Sequence, residues 1–166
     1  MQLLLWQTSQ QAGTSSPRAE ERTRACRKIL EGSSVGSRDM RGRKGPQNLE
    51  KKTVPQLQNT LWPIFASYIK AVYGSECFTC GKRCEGRDRQ AGHFIPRTYS
   101  PVKYNEDNVR VQCSRCNEFY AGKPVEYERK LRLQIGDEAV ENLKRESTKA
   151  WKWERQWLID KILYYR

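Results

Sequence analysis

The chain has 166 residues, with 31 Lys and Arg against 19 Asp and Glu, and so a net charge of +12. Apolar residues make up 37% and charged residues 30%, which allows one domain with a modest core and room for a tail. No run reaches the roughly 18 to 20 apolar residues of a bilayer-spanning helix, which sets a membrane protein aside. The opening MQLLLW is too short for a signal-peptide core and has no basic stretch before it. The expectation is a cytoplasmic protein with a polyanionic partner, nucleic acid by default. In that compartment the six cysteines serve more readily as metal ligands than as disulfides.

Residues 1–50 read as a disordered N-terminal tail. QTSQQAGTSSPRAEERTR and EGSSVGSRDMRGRKGPQ are rich in Ser, Gly, Gln and charge. They hold no sustained period and too little apolar surface to offset the entropy of ordering. The tail is basic, with nine basic against five acidic residues. That makes it an additional tether for DNA or simply a solvated extension.

Residues 51–166 carry the folded domain. TVPQLQNTLWPIFASYIKAVYG predicts a helix, with Thr53 as cap and Pro55 in the first turn. Leu57, Leu61, Phe65, Tyr68 and Val72 form its packing stripe, and Pro63 predicts a kink or a break. Residues 76–123 hold most of the cysteines. Within them AGHFI, stopped by Pro96, and NVRVQ predict two short strands, and CNEFYAG the start of a short helix. PVEYERKLRLQIG predicts a helix ending at Gly136, and DEAVENLKR a further one capped by Asp137. WKWERQWLIDKILYYR predicts a last helix, whose Trp153, Trp157 and Leu158 fit a core stripe better than a base-stacking face.

Cys77 and Cys80 form one C-x-x-C pair, and Cys113 and Cys116 another. Two residues between cysteines let one tight turn aim both sulfurs at the same ion, and two such turns complete a tetrahedral site. Four thiolates leave no open position, so the expected zinc is structural. Cys26 and Cys84 are left over.

The only histidine, His93, stands inside the frame these pairs make. Phosphodiester hydrolysis needs a group that takes a proton from water, and positive charge where negative charge develops. Neutral imidazole suits the first task near neutral pH. Mg²⁺ or Mn²⁺ suits the second, with Asn117 offering a side-chain oxygen. Arg97, Arg110, Arg115 and Lys123 are the expected phosphate contacts, though each alone fits a solvated charge equally well.

The order strand, loop, strand, helix, with His93 ending the first strand, Asn108 opening the second and Asn117 after the last cysteine, resembles the His-Me finger (HNH, ββα-metal) nucleases. More narrowly, CFTCGK, QAGHFIPR, YNEDNVRVQCSRCN, Gly122 and the Tyr127 to Gly136 stretch resemble the NinG (Rap) recombination nucleases of lambdoid phages. The histidine within a cysteine frame is also similar to phage endonuclease VII-type junction resolvases. The resemblance implies an α+β fold: a small zinc-stabilised ββα-metal core flanked by N- and C-terminal helices. It implies His93 as general base, Asn117 as ligand of a catalytic Mg²⁺ or Mn²⁺, and Asn108 as the residue that shapes the histidine loop. It implies an endonuclease acting on branched or recombination-intermediate DNA, and leaves a homodimer open.

Many relatives carry Asp or His just before the base, as a second metal ligand. Gly92 stands there in this chain, as in NinG-like proteins, so Asp88, Gln90, Glu106 and Asp107 are the candidates to replace it, or phosphate and water fill the shell, as Mg²⁺ readily permits. Two rivals remain: a non-catalytic zinc module that binds nucleic acid, and a sequence-specific HNH nuclease of the homing or restriction kind. The first has no need of His93, Asn108 and Asn117 together. The second usually carries a larger recognition domain.

Overall fold

Gln56 accepts the Thr53 N–H at 2.9 Å and starts the first long helix, α1, Val54–Tyr73. The computed structural model describes residues 49–166; apart from its last two residues, the tail expected at 1–50 lies outside them. Helix α1 runs through Pro63, so of the kink or break expected there the break does not occur. Pro63 and Asn59, whose carbonyl loses its partner there, are both exposed, so water can satisfy that oxygen. Leu57, Leu61, Phe65 and Ile69 are the fully buried stripe; Tyr68 and Val72, placed in that stripe by the sequence, are half-buried.

Beyond α1 come two five-residue strands, β1 (Arg89–His93) and β2 (Val109–Cys113), paired antiparallel. His93 faces Val109, Gly92 faces Arg110 and Gln90 faces Gln112. Strand β1 begins two residues earlier than expected and ends at His93, because Phe94 and Ile95 turn into a loop bound by Asn108. Asn108 itself closes the 3-10 turn Glu106–Asn108 rather than opening β2. The short helix expected after Cys116 is a π-helical turn, Arg115–Phe119.

Helices α2 (Pro124–Ile135) and α3 (Asp137–Ser147) are joined by Gly136 alone, at φ +92°. Asp137 is therefore the first helical residue of α3, not its cap. The last helix, α4 (Arg155–Tyr165), starts four residues later than the sequence suggested, and Trp151 to Glu154 form no regular element.

Two apolar clusters hold these parts. Helices α1 and α4 share one, with Leu61, Phe65, Leu158 and Ile162, and it reaches Val109 of β2. Trp153 and Trp157 pack against its edge. Helices α2 and α3 share the other, in which Tyr127, Leu131, Val140 and Leu143 cover Ile95 and Val102. The loop between β1 and β2 is thus clamped from both sides, and the end of β1 is fixed in space. Among the described residues no helix is long and apolar enough to cross a membrane.

Candidate functional site

Cys77, Cys80, Cys113 and Cys116 come together, their sulfurs all within 4.8 Å of one another. The Cys80 and Cys113 sulfurs are 3.8 Å apart. A tetrahedron of thiolates about 2.3 Å from zinc has edges of about 3.8 Å, so the cluster fits such an ion. The first pair sits on a turn closed by Gly81 N–H to Cys77 O (2.8 Å), with Gly81 at φ +77°. The second pair joins the end of β2 to the π-helical turn. Burial pushes the Cys116 thiol up to about 12 and raises Cys113 as well. Cys77 goes the other way, down to about 6: burial raises it, but hydrogen bonds from Thr79 and from the backbone at Cys113 and Cys80 outweigh that. A cation at the centre would draw the remaining protons off the buried Cys113 and Cys116. Cys84 stays out of the cluster and donates to Ser75 O; Cys26 lies outside the described residues.

His93 is half-buried at the last position of β1. Its Nε2–H donates to Lys103 O at 2.9 Å, which leaves Nδ1 as the lone-pair nitrogen of the neutral ring. Trp62 of α1 stacks on the ring, centroids 5.1 Å apart and planes 20° apart. Burial lowers the His93 pKa below its ordinary value; the Lys103 carbonyl opposes this, and the charges of Arg97 and Lys103 add to it.

Asn108 is fully buried. Its Oδ1 accepts the Ile95 N–H (2.8 Å), and its Nδ2 donates to Ile95 O and Val102 O (3.0 Å each). One amide thus ties both ends of the loop that carries Lys103 O to the histidine.

Asn117, in the π-helical turn, faces β1. Its Nδ2 donates to Gln90 Oε1 at 2.6 Å, and Gln90 Nε2 donates to Glu118 at 2.6 Å. The Asn117 Oδ1 lies 2.9 Å from the point a Cβ on Gly92 would occupy, and Gln112 Oε1 lies nearer still. A side chain at position 92 would collide with both, which accounts for glycine there. The wide π turn lets Cys116 join the cysteines while its neighbour Asn117 turns to the strand.

The four residues considered for a second ligand fare differently. Asp88 is taken up by Ser114 and Lys82. Glu106 accepts from Tyr68 and Tyr165 between α1 and α4. Gln90 orients Asn117 rather than meeting the notch over Gly92. Asp107 takes part through its backbone, its N–H donating to Asn105 and its carbonyl accepting from Arg110.

Of the four expected phosphate contacts, Arg110 is a correction. It is 1% exposed, donates to Glu106 O (2.7 Å), Val109 O (2.9 Å) and Gln134 (2.8 Å), and lies 4.4 Å over the Tyr73 ring. The face of β2 expected to meet solvent is covered by α2, so the guanidinium is spent inside. Arg97 is exposed beside the histidine. Arg115 and Lys123 both sit over the exposed Tyr120 ring, at 5.4 and 5.2 Å, and Phe119 next to it is 81% exposed.

Sequence reasoning did not single out Trp62, Thr79 or Gln112. Trp62 was legible only as a bulky residue on a packing helix. Gln112 was legible only as the polar residue of a strand, directly before a cysteine.

The family model for "Bacteriophage Lambda NinG protein" matches residues 5–166. Two relatives are the ninG proteins of Escherichia phage lambda, 34% identical over 68 residues, and of Escherichia phage 933W, 32% identical over 68 residues. Each match covers 40% of this chain and 33% of the relative, so the chain spans about a third of the length of the curated relatives it matches. No solved structure matches. The family name and the relatives' names state no reaction. With its cysteine cluster and the hairpin that carries His93 inside the matched residues, the chain belongs to the NinG family of lambdoid phages.

Proposed function

We propose that this protein is a metal-dependent DNA endonuclease of the His-Me finger kind, acting on branched or recombination-intermediate DNA. The observation that carries the reading is the state of His93: Nε2 is committed to Lys103 O, so the neutral ring offers Nδ1 as a base. The lowered pKa keeps that ring neutral at physiological pH.

In the reaction His93 Nδ1 takes a proton from water as the water oxygen attacks phosphorus. The bond from phosphorus to the 3′ oxygen breaks, and the leaving oxygen is protonated by solvent. Trp62 and Asn108 hold the ring and its loop against drift, so the base is aligned before DNA arrives. A bound Mg²⁺ or Mn²⁺ would offset the charge that builds on the phosphate and the leaving oxygen. Asn117 Oδ1, hard and neutral, fits such an ion. Gly92 precedes His93 at the end of β1, with Cα atoms about 3.8 Å apart. Successive strand residues point to opposite faces, so the notch beside Asn117 and the imidazole flank one strand end from its two sides. The zinc frame has a separate, structural task. Arg97, Arg115, Lys123 and the exposed Tyr120 and Phe119 offer charge and stacking surface to nucleic acid.

The test is His93→Ala, assayed on linear, single-stranded, forked and four-way DNA with Mg²⁺. Cleavage should fall by about a hundredfold to ten-thousandfold, with zinc content and DNA affinity kept. Wild-type cleavage by the variant would remove the base. Binding by the native protein with no cleavage of any substrate would favour the non-catalytic zinc module.

A further inference from the structure

We propose that Gln112 supplies the second protein oxygen for the divalent cation, the place that Gly92 leaves empty. This deepens the nuclease reading and is tested apart from it. Gln112 is fully buried at the fourth position of β2. Its Nε2 donates to Gly122 O (2.8 Å) and to Thr79 Oγ1 (3.1 Å), which uses both hydrogens. A backbone carbonyl only accepts, so the amide cannot be turned end for end. Oε1 is therefore aimed the other way, and it is a buried oxygen without a hydrogen-bond partner. Proteins rarely leave such an atom unmatched.

Oε1 points into the notch over Gly92, and so does the Oδ1 of Asn117. The orientation of Asn117 is fixed in the same way. Glu118 only accepts as a carboxylate, so Gln90 presents Nε2 to it and Oε1 to Asn117 Nδ2. That turns Asn117 Oδ1 toward the glycine. Two amide oxygens from different segments thus close in over the Cα of Gly92, where the missing side chain lets them approach, and among the described residues no donor meets either.

Hard, neutral oxygens select a hard cation such as Mg²⁺ or Mn²⁺, which keeps waters in its other positions. Neither ligand is charged, so the ion keeps its full charge for an incoming phosphate. Binding to the free protein should accordingly be weak and should tighten with DNA.

Mn²⁺ is the probe. It is added below stoichiometry to the full-length, zinc-loaded, ¹⁵N-labelled protein, and the side-chain amide signals are followed by NMR. The Gln112 and Asn117 NH₂ signals should broaden first and recover with excess Mg²⁺. If they persist while residues near the exposed Glu126 and Asp137 broaden, a water molecule fills the notch and the assignment fails.

Gln112→Met keeps the volume and removes the oxygen. At unchanged zinc content it should weaken Mn²⁺ binding by at least about tenfold, the scale found even for groups one layer beyond the ligands. Unchanged Mn²⁺ affinity in the folded variant overturns the proposal; if the variant does not fold, the labelled native protein decides. Selective broadening without DNA cleavage would leave the cation site standing and remove the nuclease. Cleavage by Gln112→Met with unchanged Mg²⁺ dependence would do the reverse.

Discussion

Trp62 lies flat on His93, with ring centroids 5.1 Å apart and planes 20° apart. A helix residue from outside the cysteine frame thus sets the solvent exposure of the chain's only imidazole. Trp62→Ala should let water reach the ring, so the His93 pKa should rise toward the ordinary value of 6.5. Arg97 and Lys103 still oppose its charging in the variant, and the Lys103 carbonyl still favours it. One histidine gives one imidazole signal, so an NMR titration reads this directly. An inflection that stays put would show that Trp62 does not cause the shift.

The sign of the pH effect on stability follows from the same pair. A histidine with a lowered folded pKa binds fewer protons when folded than when unfolded. Its neutral form contributes stability above pH 6.5, and that contribution is lost as pH falls from there through the folded value. Melting temperature measured across this window should fall less in Trp62→Ala than in the native protein. On the nuclease reading, the acid limb of cleavage should move to higher pH in the variant.

Local patterns were legible in the sequence, and long-range ones were not. The C-x-x-C pairs encode their own turns, so four ligands could be named from spacing alone, and the structure gathers the same four. The strands were legible to within two residues because β-branched alternation in NVRVQ is local. Arg110 misled because alternation says which residues share a face but not that α2 covers that face. The orientation of Gln112 was out of reach: Gly122 and Thr79 fix it from two other segments. Pro63 suggested a break that solvent exposure makes unnecessary.

The cysteine cluster predicts about one tightly held zinc per freshly purified chain. Stripping it with a chelator should abolish the cooperative melting transition followed by circular dichroism. The pairs otherwise pin both ends of the hairpin with little apolar support, as only Val111 and part of Tyr73 pack among these cysteines and Cys84. Cys84→Ser should keep full zinc content, because its sulfur donates to Ser75 O instead. An unchanged melting profile in the stripped protein would refute a structural role for the ion.

Asn108→Ala removes an amide that makes three buried hydrogen bonds; it leaves Ile95 N and Ile95 O without those partners, and Val102 O with the Asn105 N–H alone. The expected loss is about 2–4 kcal/mol, measured by denaturant unfolding with zinc content unchanged. Hydrogen exchange should quicken at the loop amides, Ile95 first. Asn108→Asp should restore only the acceptor to Ile95 N and should set a charge against two carbonyls. A loss of stability below that of a surface substitution would mean that the loop is held elsewhere.

The basic residues divide into two classes that one salt titration separates. Arg97 and Arg115 are exposed, and on the proposed DNA-binding reading each would contact phosphate and release counterions on binding. Alanine at either should lower the slope of log affinity against log salt by about 1, with little effect on stability. Arg110 is buried among Glu106, Val109 and Gln134, with Tyr73 beneath it. Alanine there strips partners from buried carbonyls, so it should cost about 2–4 kcal/mol of stability. It should leave the salt slope of the remaining folded protein unchanged. Lys123 is half-buried over Tyr120, so Lys123→Ala should lower the slope and also loosen the aromatic ring. A reduced slope for Arg110→Ala at full stability would mean that α2 lifts away to expose the guanidinium when DNA binds.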